Sequence, residues 1–550
     1  MEKLTIRSET LSIRLVDQAG RWKLLENKKS GLLFSGYFWF GDQLYDGDSA
    51  LHFLSNHAFC IMEEPALDQI FKKMNGSWAL IAWNGPDVLI AADLIRSIPV
   101  FYTVKNGAAA ISDSSHHLVE QMNLTSHSPE NISFYLRALT CFSGETIVKN
   151  LHDVAAGEYV RIFNLQAVRR RYWHMPPKSE QLQTTKDPVA LVADMFDVVF
   201  RRMAQYLDRV KMPIFLPLSG GMDSRLLAWA IRKYKIENKV IAFTYGRDET
   251  VEEAVLSRRV AETLGMQWEF VKYEPHDWKT LRDDFPKIIK SLNPEKAPPH
   301  FQDYFAVCRL VEQYGVGLVL PGLCLDGLTG LTIPKGLAFS GPARFTQFFD
   351  YGSLFKTEME RRATSSNQLE NFELFNITHK WSSYVVNSVR TYELLGCPYY
   401  LPYWDSELTD LWLSLPTALR YDRVLFRRYL NRVAYVGPYA PLLQIPIALG
   451  RRMDEFSQPI SVLEKTQLSA KYLIKRLLGD RKVFPQSLQE KVSKNRRDDY
   501  VGFYDFFAEA SLQEIKEIRS YFGLNPNKPL HSYSYNDLFT LYALNALLSK

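Results

Sequence analysis

The chain has 550 residues, with 66 basic and 61 acidic side chains, and its net charge of +5 is too small to indicate a nucleic-acid partner. Hydrophobic residues make up 46% of the chain and aromatic residues 13%, enough for the cores of two or three domains. No apolar run approaches the roughly 18 residues of a membrane span, and the N-terminus lacks the apolar core of a signal peptide. Five widely spaced cysteines without metal-ligand spacing indicate reduced thiols, so we expect a cytoplasmic protein without a membrane segment.

The first 174 residues carry short β-rich runs separated by turn signals. Two of these turns contain Asn-Gly, at Asn84-Gly85 in "AWNGPDVLIAA" and at Asn106-Gly107 in "YTVKNGAAAIS". Asn-Gly between β-rich runs is typical of tight hairpins, because both residues tolerate positive φ. We therefore predict a strand-rich, largely antiparallel domain over residues 1–174.

The pattern changes after the polar segment "MPPKSEQLQTTKDP" at residues 175–188, whose three prolines and lack of periodicity predict a linker. From residue 189 onward, short apolar runs such as "PIFLPLS", "KVIAFTYG" and "GVGLVLPG" alternate with helical stretches. Strands separated by helices at this rhythm predict a parallel α/β sheet. Beyond about residue 340 the pattern is mostly helical. Residues 461–550 contain no motif that we can assign.

The stretch "IFLPLSGGMDSRLLAWAI", Ile214 to Ile231, predicts a strand, a glycine loop and a helix in that order. Ligands bind at the carboxyl ends of parallel strands, where such loops lie. Gly220 and Gly221 let backbone amides approach an anion at the start of the helix. No lysine follows the glycines, so this is not a Walker loop, and Asp223 suits a Mg²⁺ ion instead. A plain tight turn with Asp223 as helix cap is the alternative.

Within this stretch, "LSGGMDS" resembles the pyrophosphate-binding motif of the ATP pyrophosphatases, the group that contains asparagine synthetase. The resemblance implies cleavage of ATP between its α- and β-phosphates and activation of a carboxylate as its adenylate. It also implies that ATP and Mg²⁺ are bound, with Asp223 as a metal ligand. The implied nucleotide-binding residues of this loop are Leu218, Ser219, Gly220, Gly221, Asp223 and Ser224.

The next segment, "KVIAFTYGRDETVEEAVLSRRVAETLGMQWEFVKY", is similar to the asparagine synthetase segment in which a strand ends beside the adenosine. The resemblance implies contacts to adenine and ribose, mostly through the backbone of Ala242–Gly246. The implied nucleotide-binding residues here are Thr244, Tyr245 and Gly246. A plain buried strand end is the alternative for each of these side chains.

A third segment, "VGLVLPGLCLDGLTG", resembles the "SGEGADELFGG" stretch of the same family. The resemblance implies that Asp326 is a second magnesium ligand and that Gly322 and Gly327 give backbone access to ATP. Asp223 and Asp326 each follow a predicted parallel strand, so we expect them at one edge of the sheet. Two carboxylates at that edge suit a site for Mg²⁺ and pyrophosphate.

Two assignments farther along the chain concern catalysis, and they name Glu393 and Arg452 as candidate catalytic residues. Glu393 in "RTYELLG" corresponds to the glutamate that the family keeps beside the acyl-adenylate, with a surface helical glutamate as the alternative. The segment "GRRMDEFSQP" looks like the one that carries the family's pyrophosphate-stabilising lysine, and it puts Met453 at the lysine. Methionine has no charge, so Arg452, Lys491 or Lys494 would have to supply it, unless the alignment of this segment is off by one residue.

The N-terminal region resembles the glutaminase domain of asparagine synthetases through "NGSWALIAWNGPDVLIAADLIRSIPVFYT". Asn75 and Asp93 match the family pattern, whereas Ser77 replaces a substrate-binding glutamate and Arg96 replaces a glycine. The chain begins "MEK", without the catalytic cysteine expected at position 2, and a carboxylate cannot replace a thiolate as nucleophile. We therefore expect a glutaminase-like domain that does not hydrolyse glutamine.

Taken together, the resemblance identifies the chain as a member of the asparagine synthetase family and predicts a fold of the α/β plus α+β class. An Ntn-hydrolase-like domain is predicted over 1–174 and a linker over 175–188. An adenine-nucleotide α-hydrolase-like synthetase domain follows over 189–460, with a helical extension over 461–550. The branch without glutamine chemistry is similar to β-lactam synthetases, lasso-peptide cyclases and polysaccharide-linked homologues.

The predicted activity is an AMP-forming carbon–nitrogen ligase acting on a small-molecule, peptide or sugar carboxylate and an amine or ammonia. A homodimer is the assembly we consider, with neither nucleic acid nor membrane as a partner. Two alternatives stay open. One is a glutamine-hydrolysing asparagine synthetase, and the other is a degenerate homologue that binds nucleotide without turnover.

Overall fold

The computed structural model describes residues 4–179, 187–333 and 368–447, except 9, 18, 19, 28, 143, 237 and 238, together with 543, 544 and 547. Residues 180–186 of the predicted linker and nearly all of the extension 461–550 lie outside the described residues. In the part of the chain that the structure describes, no helix is long and apolar enough to cross a lipid bilayer.

The N-terminal region is rich in strands, as the sequence predicts. Its strands are β1 (Leu4–Arg7), β2 (Leu11–Leu15), β3 (Trp22–Glu26), β4 (Ser30–Phe40), β5 (Gln43–Asp46), β6 (Asn75–Asn84), β7 (Asp87–Ala92), β8 (Phe101–Lys105), β9 (Ala108–Ser112), β10 (His152–Asp153), β11 (Glu158–Phe163) and β12 (Gln166–Arg171). Its helices are α1 (Gly47–Ser55), α2 (Glu64–Lys73), α3 (Ser115–Gln121) and α4 (Pro129–Ala138). One sheet has the order β1-β2-β9-β8-β10, and the other has the order β12-β11-β7-β6-β4-β3 with β5 paired to β4.

Both predicted hairpins form, although the first turn is Gly85-Pro86 rather than Asn84-Gly85, because Asn84 is the last residue of β6. Strands β6 and β7 pair antiparallel up to Asn84 opposite Asp87, and β8 and β9 pair up to Lys105 opposite Ala108. Asn106 adopts a φ of +54°, the left-handed conformation that Asn-Gly turns supply at low cost. Almost all strand pairs in these sheets are antiparallel, and the pair β2–β9 is parallel.

The two sheets pack face to face, with helices on both outer sides. Leu11 and Ile111 of the first sheet share one buried cluster with Ile81 and Ile90 of the second. Helices α3 and α4 cover the opposite face of the first sheet, and α1 and α2 cover the opposite face of the second. The N-terminal region therefore has four layers, two of helices around two of strands.

The second region contains the predicted parallel sheet. Its strands are β13 (Ile214–Pro217), β14 (Val240–Gly246), β15 (Gln267–Lys272) and β16 (Leu318–Val319). They have the order β15-β14-β13-β16, and every pair is parallel. The helices of this part are α5 (Pro188–Arg209), α6 (Met222–Lys233), α7 (Glu252–Leu264), α8 (Pro275–Lys290), α9 (Tyr304–Tyr314) and α10 (Leu325–Leu328).

The described residues after 367 are mainly helical, as predicted. They form the helices α11 (Gln368–Phe375), α12 (Arg390–Leu394), α13 (Ser406–Ser414), α14 (Thr417–Arg420) and α15 (Val424–Tyr429). Two π-helical stretches, Asn376–Val385 and Leu430–Ala434, and 3₁₀ turns at Val386–Val389, Pro402–Trp404, Tyr421–Arg423 and Gly437–Gln444 complete this part.

The start of the predicted linker packs against the second region. The Ser179 amide donates to the Ser414 carbonyl at 3.0 Å, and the Lys178 ammonium donates to the Leu413 carbonyl at 2.7 Å. These residues follow a defined path because their polar groups find partners on α13. Proline content and polarity alone do not reveal such long-range pairing.

A polar, buried interface joins the two regions. The Cys141 amide donates to the Lys296 carbonyl at 3.0 Å, and the Ile147 amide donates to the Glu295 carbonyl at 2.9 Å. The Lys296 ammonium lies 3.1 Å from Asp153, whose second oxygen lies 2.7 Å from the Arg96 guanidinium. Although burial opposes its ionisation, Lys296 and Arg96 lower the pKa of Asp153, so the carboxylate carries its charge between two cations.

We expect Asp153→Asn to lower the free energy of unfolding by roughly 3–5 kcal/mol, because two buried cations then lose their shared anion. Guanidinium denaturation followed by circular dichroism measures the change. The matched control is Glu64→Gln, which removes a carboxylate from a half-exposed pair with Arg170 and costs at most about 1 kcal/mol. Equal losses in the two variants would contradict the role given to Asp153.

Candidate active site

Hydrogen bonds between Ser219 and Ser224 join the two ends of the loop between β13 and α6. The Ser219 amide donates to the Ser224 hydroxyl at 3.1 Å, and the two hydroxyl oxygens lie 2.8 Å apart. The Gly221 amide donates to the Ser219 hydroxyl at 3.2 Å. A side chain at Gly220 would lie 2.6 Å from Cβ of Leu256 on α7, so glycine is required where the loop approaches that helix. The result is a tight backbone turn at the N-terminus of α6, a geometry that suits a phosphate group.

The two predicted metal ligands lie next to each other. The Asp326 amide donates to Oδ2 of Asp223 at 2.8 Å, across 103 positions of sequence. A Cβ added to Gly322 would lie 3.2 Å from the Ser224 amide nitrogen, so the two loops touch. They meet because they follow β13 and β16, which are neighbours in the parallel sheet. The expectation that Asp223 and Asp326 share one edge of the sheet is confirmed.

The electrostatics of this pair favour a neighbouring positive charge, and the Arg423 guanidinium supplies one. Burial raises the pKa of Asp223 to about 6, Arg423 opposes the increase, and the negative charge of Asp326 adds to it. A carboxylate that is destabilised by burial and by a like charge gains from a divalent ion. Within the described ranges, no group of three or more His, Cys, Asp or Glu side chains forms a closed metal site. A magnesium ion held by two carboxylates would take phosphate oxygens and waters as its other ligands, its usual arrangement with nucleotides.

The end of β14 lies beside this loop, where the resemblance puts the nucleoside. The Leu218 amide donates to the Phe243 carbonyl at 2.8 Å, which ties the loop to the strand. The Tyr245 ring stacks on Tyr273 with centroids 4.9 Å apart, and the Gly246 carbonyl accepts from the Tyr273 amide at 2.8 Å. The Thr244 side chain is buried. The end of β14 therefore lies beside the glycine loop, and its role in binding a nucleoside stays a prediction.

Glu393 lies at the interface between the two regions, where it contacts Arg21 and Arg390 rather than Asp223 or Asp326. One of its oxygens accepts from Arg21 of the N-terminal region, and the other accepts from Arg390 at 2.6 Å. Glu393 also lines a cavity of about 190 Å³ between the regions. Its contacts are those of a buried bridge between two arginines rather than those of a surface glutamate.

The other candidate catalytic residue, Arg452, lies outside the described residues, as do Met453, Lys491 and Lys494.

Two cations near the acidic pair were missed in the sequence. The Arg423 guanidinium donates to Oδ1 of Asp223, and its Nε donates to the Thr329 hydroxyl at 3.2 Å. Lys380 lies in the electrostatic field of Asp326, which together with Cys324 partly offsets the burial that lowers the lysine's pKa to about 8.

The residue after Lys380 shows how close its helix lies to the second loop. A Cβ added to Gly327 would lie 2.2 Å from the Trp381 indole. No motif singles out Lys380 or Arg423. The one signal in the sequence that could have led to them is Met453. It is uncharged where the resemblance puts a lysine, so the positive charge beside pyrophosphate would have to come from another residue.

The residues of the N-terminal region that match the glutaminase pattern are engaged in structural contacts. Oδ1 of Asn75 accepts from the Ser406 amide at 2.7 Å, at the start of α13 in the second region. The fully buried Asp93 accepts from the amides of Trp78 at 3.0 Å and Ile95 at 2.8 Å. Arg96 adopts a φ of +55°, the left-handed conformation in which the glycine of the family pattern meets no steric penalty.

Residues 205–441 match the family model described as asparagine synthase. A search of curated proteins gave no significant match.

Two solved structures are similar to parts of the chain. The "allosteric regulatory enzyme of purine biosynthesis" shares 10% identity and a TM-score of 0.19, over 45% of this chain and 46% of that chain. The glutamine phosphoribosylpyrophosphate amidotransferase from B. subtilis, complexed with ADP and GMP, shares 9% identity and a TM-score of 0.20, over 56% of this chain and 65% of that chain. The chain thus spans less than two thirds of either structure, and TM-scores this low support no argument about fold or activity.

Proposed function

We propose that this chain, whose residues 205–441 match the asparagine synthase family model, is an ATP-dependent synthetase that joins a carboxylate to an amine. The observation that carries the proposal is the contact between Asp326 and Asp223 at 2.8 Å. It joins the glycine loop after β13 to the glycine-rich loop after β16, and so puts two carboxylates beside a phosphate cradle.

In the proposed first step, a carboxylate oxygen of the substrate attacks the α-phosphorus of ATP, and the bond to the bridging oxygen of the β-phosphate breaks. Pyrophosphate leaves and an acyl-adenylate remains. The backbone amides of Gly220 and Gly221 and the N-terminus of α6 would hold the leaving pyrophosphate. Asp223 and Asp326 would hold Mg²⁺, which supplies charge neutralisation at the phosphate oxygens. Lys380 would add a positive charge on the side of Asp326.

In the proposed second step, an amine nitrogen attacks the acyl carbon, the bond from that carbon to the phosphate oxygen breaks, AMP leaves, and the extra proton on the nitrogen passes to water. If the site holds both reactants in contact, their proximity and orientation supply much of the rate of this step. We propose a small-molecule, peptide or sugar carboxylate as the first substrate and ammonia or an amine as the second.

We further propose that the N-terminal region does not hydrolyse glutamine. Two residues match the glutaminase pattern, and both make contacts within the protein. The side-chain oxygen of Asn75 accepts from the Ser406 amide, and Asp93 accepts from the Ile95 amide in a buried turn. Neither carboxylate oxygen of Asp93 is exposed to a ligand, because the side chain is fully buried. The amine would then come from solution or from the substrate itself.

The test is the formation of AMP and pyrophosphate from Mg-ATP, with pools of small carboxylates, uronic acids and amines. We expect AMP that depends on a carboxylate, and no glutamate from glutamine above the background of a reaction without enzyme. ADP and phosphate as products would contradict the proposed cleavage site. Bound ATP without AMP in any pool would favour a nucleotide-binding protein without turnover.

A further inference from the structure

Arg423 holds the carboxylate that the proposed function gives to the metal. Its guanidinium donates to Oδ1 of Asp223, and only 6% of the arginine side chain is exposed. Oδ2 of the same carboxylate accepts from the Asp326 amide at 2.8 Å. Both oxygens of Asp223 are therefore engaged within the protein itself.

A guanidinium and a divalent cation compete for one carboxylate. Two positive charges on the same group repel each other strongly where water is scarce, and Arg423 is almost fully buried. A metal ion that binds Asp223 must therefore displace Arg423 or accept a large penalty. Free Mg²⁺ also surrenders its waters reluctantly, so it is a poor competitor when it arrives alone.

The backbone at Arg423 is held in an uncommon conformation. Asp422 and Arg423 adopt φ values of +52° and +61°, in the left-handed region that costs non-glycine residues about 1–2 kcal/mol each. The contacts of Arg423 to Asp223 and Thr329 hold it there. If Arg423 leaves Asp223, those contacts no longer stabilise the left-handed conformation.

We infer that Arg423 is an internal counter-ion which occupies the metal-binding carboxylate, so that the metal enters with the nucleotide and not alone. The inference rests on the proposed function for the identity of the metal site. The triphosphate of ATP brings its own Mg²⁺ and offers the displaced guanidinium a stronger anionic partner than a single carboxylate. Arg423 is thus a positioning residue that makes metal binding depend on nucleotide.

The inference is tested by binding of Mn²⁺, followed by electron paramagnetic resonance, to the full chain without nucleotide. We expect weak binding to the wild type and at least about tenfold tighter binding to Arg423→Met, because the unpaired carboxylate pair then lacks a cation. The control is Arg428→Met, which removes an exposed arginine of α15 and leaves Mn²⁺ affinity unchanged. Equal or weaker Mn²⁺ binding in Arg423→Met would overturn the inference.

A second variant covers the case in which Arg423→Met does not fold. Thr329→Val removes the hydroxyl that accepts a hydrogen bond from Nε of Arg423, and it keeps the shape of the side chain. We expect it to raise Mn²⁺ affinity a few-fold, and no increase would count against the inference as well. With a non-hydrolysable ATP analogue present, wild type and Thr329→Val should bind Mn²⁺ with similar affinity.

The metal titration contains no carboxylate substrate and involves no turnover. If the wild type makes no AMP but Arg423→Met binds Mn²⁺ more tightly, the counter-ion inference stands and the proposed reaction is wrong. If the wild type makes AMP but Arg423→Met binds Mn²⁺ no more tightly, the proposed reaction stands and the counter-ion inference is wrong.

Discussion

Asp223→Ala is expected to lower the rate of AMP and pyrophosphate formation by a factor of about 10³ or more, the scale of losing a charge-stabilising group at a reacting phosphate. The carboxylate lies in the first turn of α6 and meets the Asp326 amide, so its removal takes one of the two ligands from the proposed metal site. Asp223→Asn keeps the acceptor oxygen for the Asp326 amide but not the charge, and we expect almost the same loss.

Both substitutions relieve the repulsion between two neighbouring carboxylates but leave the buried Arg423 without its anion, so the free energy of unfolding is measured together with the rate. Circular dichroism checks the fold, and a coupled pyrophosphate assay measures the rate. The control is Asp208→Asn, which neutralises an exposed carboxylate on α5 and should leave the rate unchanged. Turnover retained in a folded Asp223→Ala protein would remove Asp223 from the metal site.

Lys380→Met is expected to lower kcat for AMP formation about 10²-fold with a smaller effect on KM, because the charge matters most as pyrophosphate leaves. Among the described residues, Lys380 is a cation in the field of Asp326, and the resemblance leaves Met453 without charge where the family has a lysine. Lys380→Arg keeps a positive charge and should recover part of the rate.

Lys239→Met is the matched control, because it removes an exposed lysine of the same region and should not change kcat. A purely structural role for Lys380 would lower thermal stability in both Lys380 variants without a specific loss of kcat. Unchanged kcat in Lys380→Met would mean that the cation comes from elsewhere, and Arg452, Lys491 and Lys494 would be the next residues to substitute.

The local elements of the site follow from the sequence, since they are encoded by neighbours in the chain. The sequence predicts a strand at "FLPL" (215–218), a loop at "SGGMDS" (219–224) and a helix at "RLLAWAIRKY" (225–234). The strand forms at Ile214–Pro217, and the helix begins three residues earlier than predicted, at Met222. The hairpin turn at Asn106-Gly107 is equally local, because turn geometry depends on two residues. The pairing of Asp223 with Asp326 follows one step later, from the rule that parallel strands end at the same edge of a sheet.

The sequence by itself therefore determined the strand-rich first region, the parallel sheet of the second, and the two loops that carry Asp223 and Asp326. Only the tertiary structure decided that Arg423 holds Asp223 across 200 positions and that Glu393 binds Arg21 across 372. It also decided that Oδ1 of Asn75 accepts from the Ser406 amide of the second region. The physical reason is that pattern and turn chemistry act over a few residues, whereas a buried charge takes whichever partner the folded chain brings within reach.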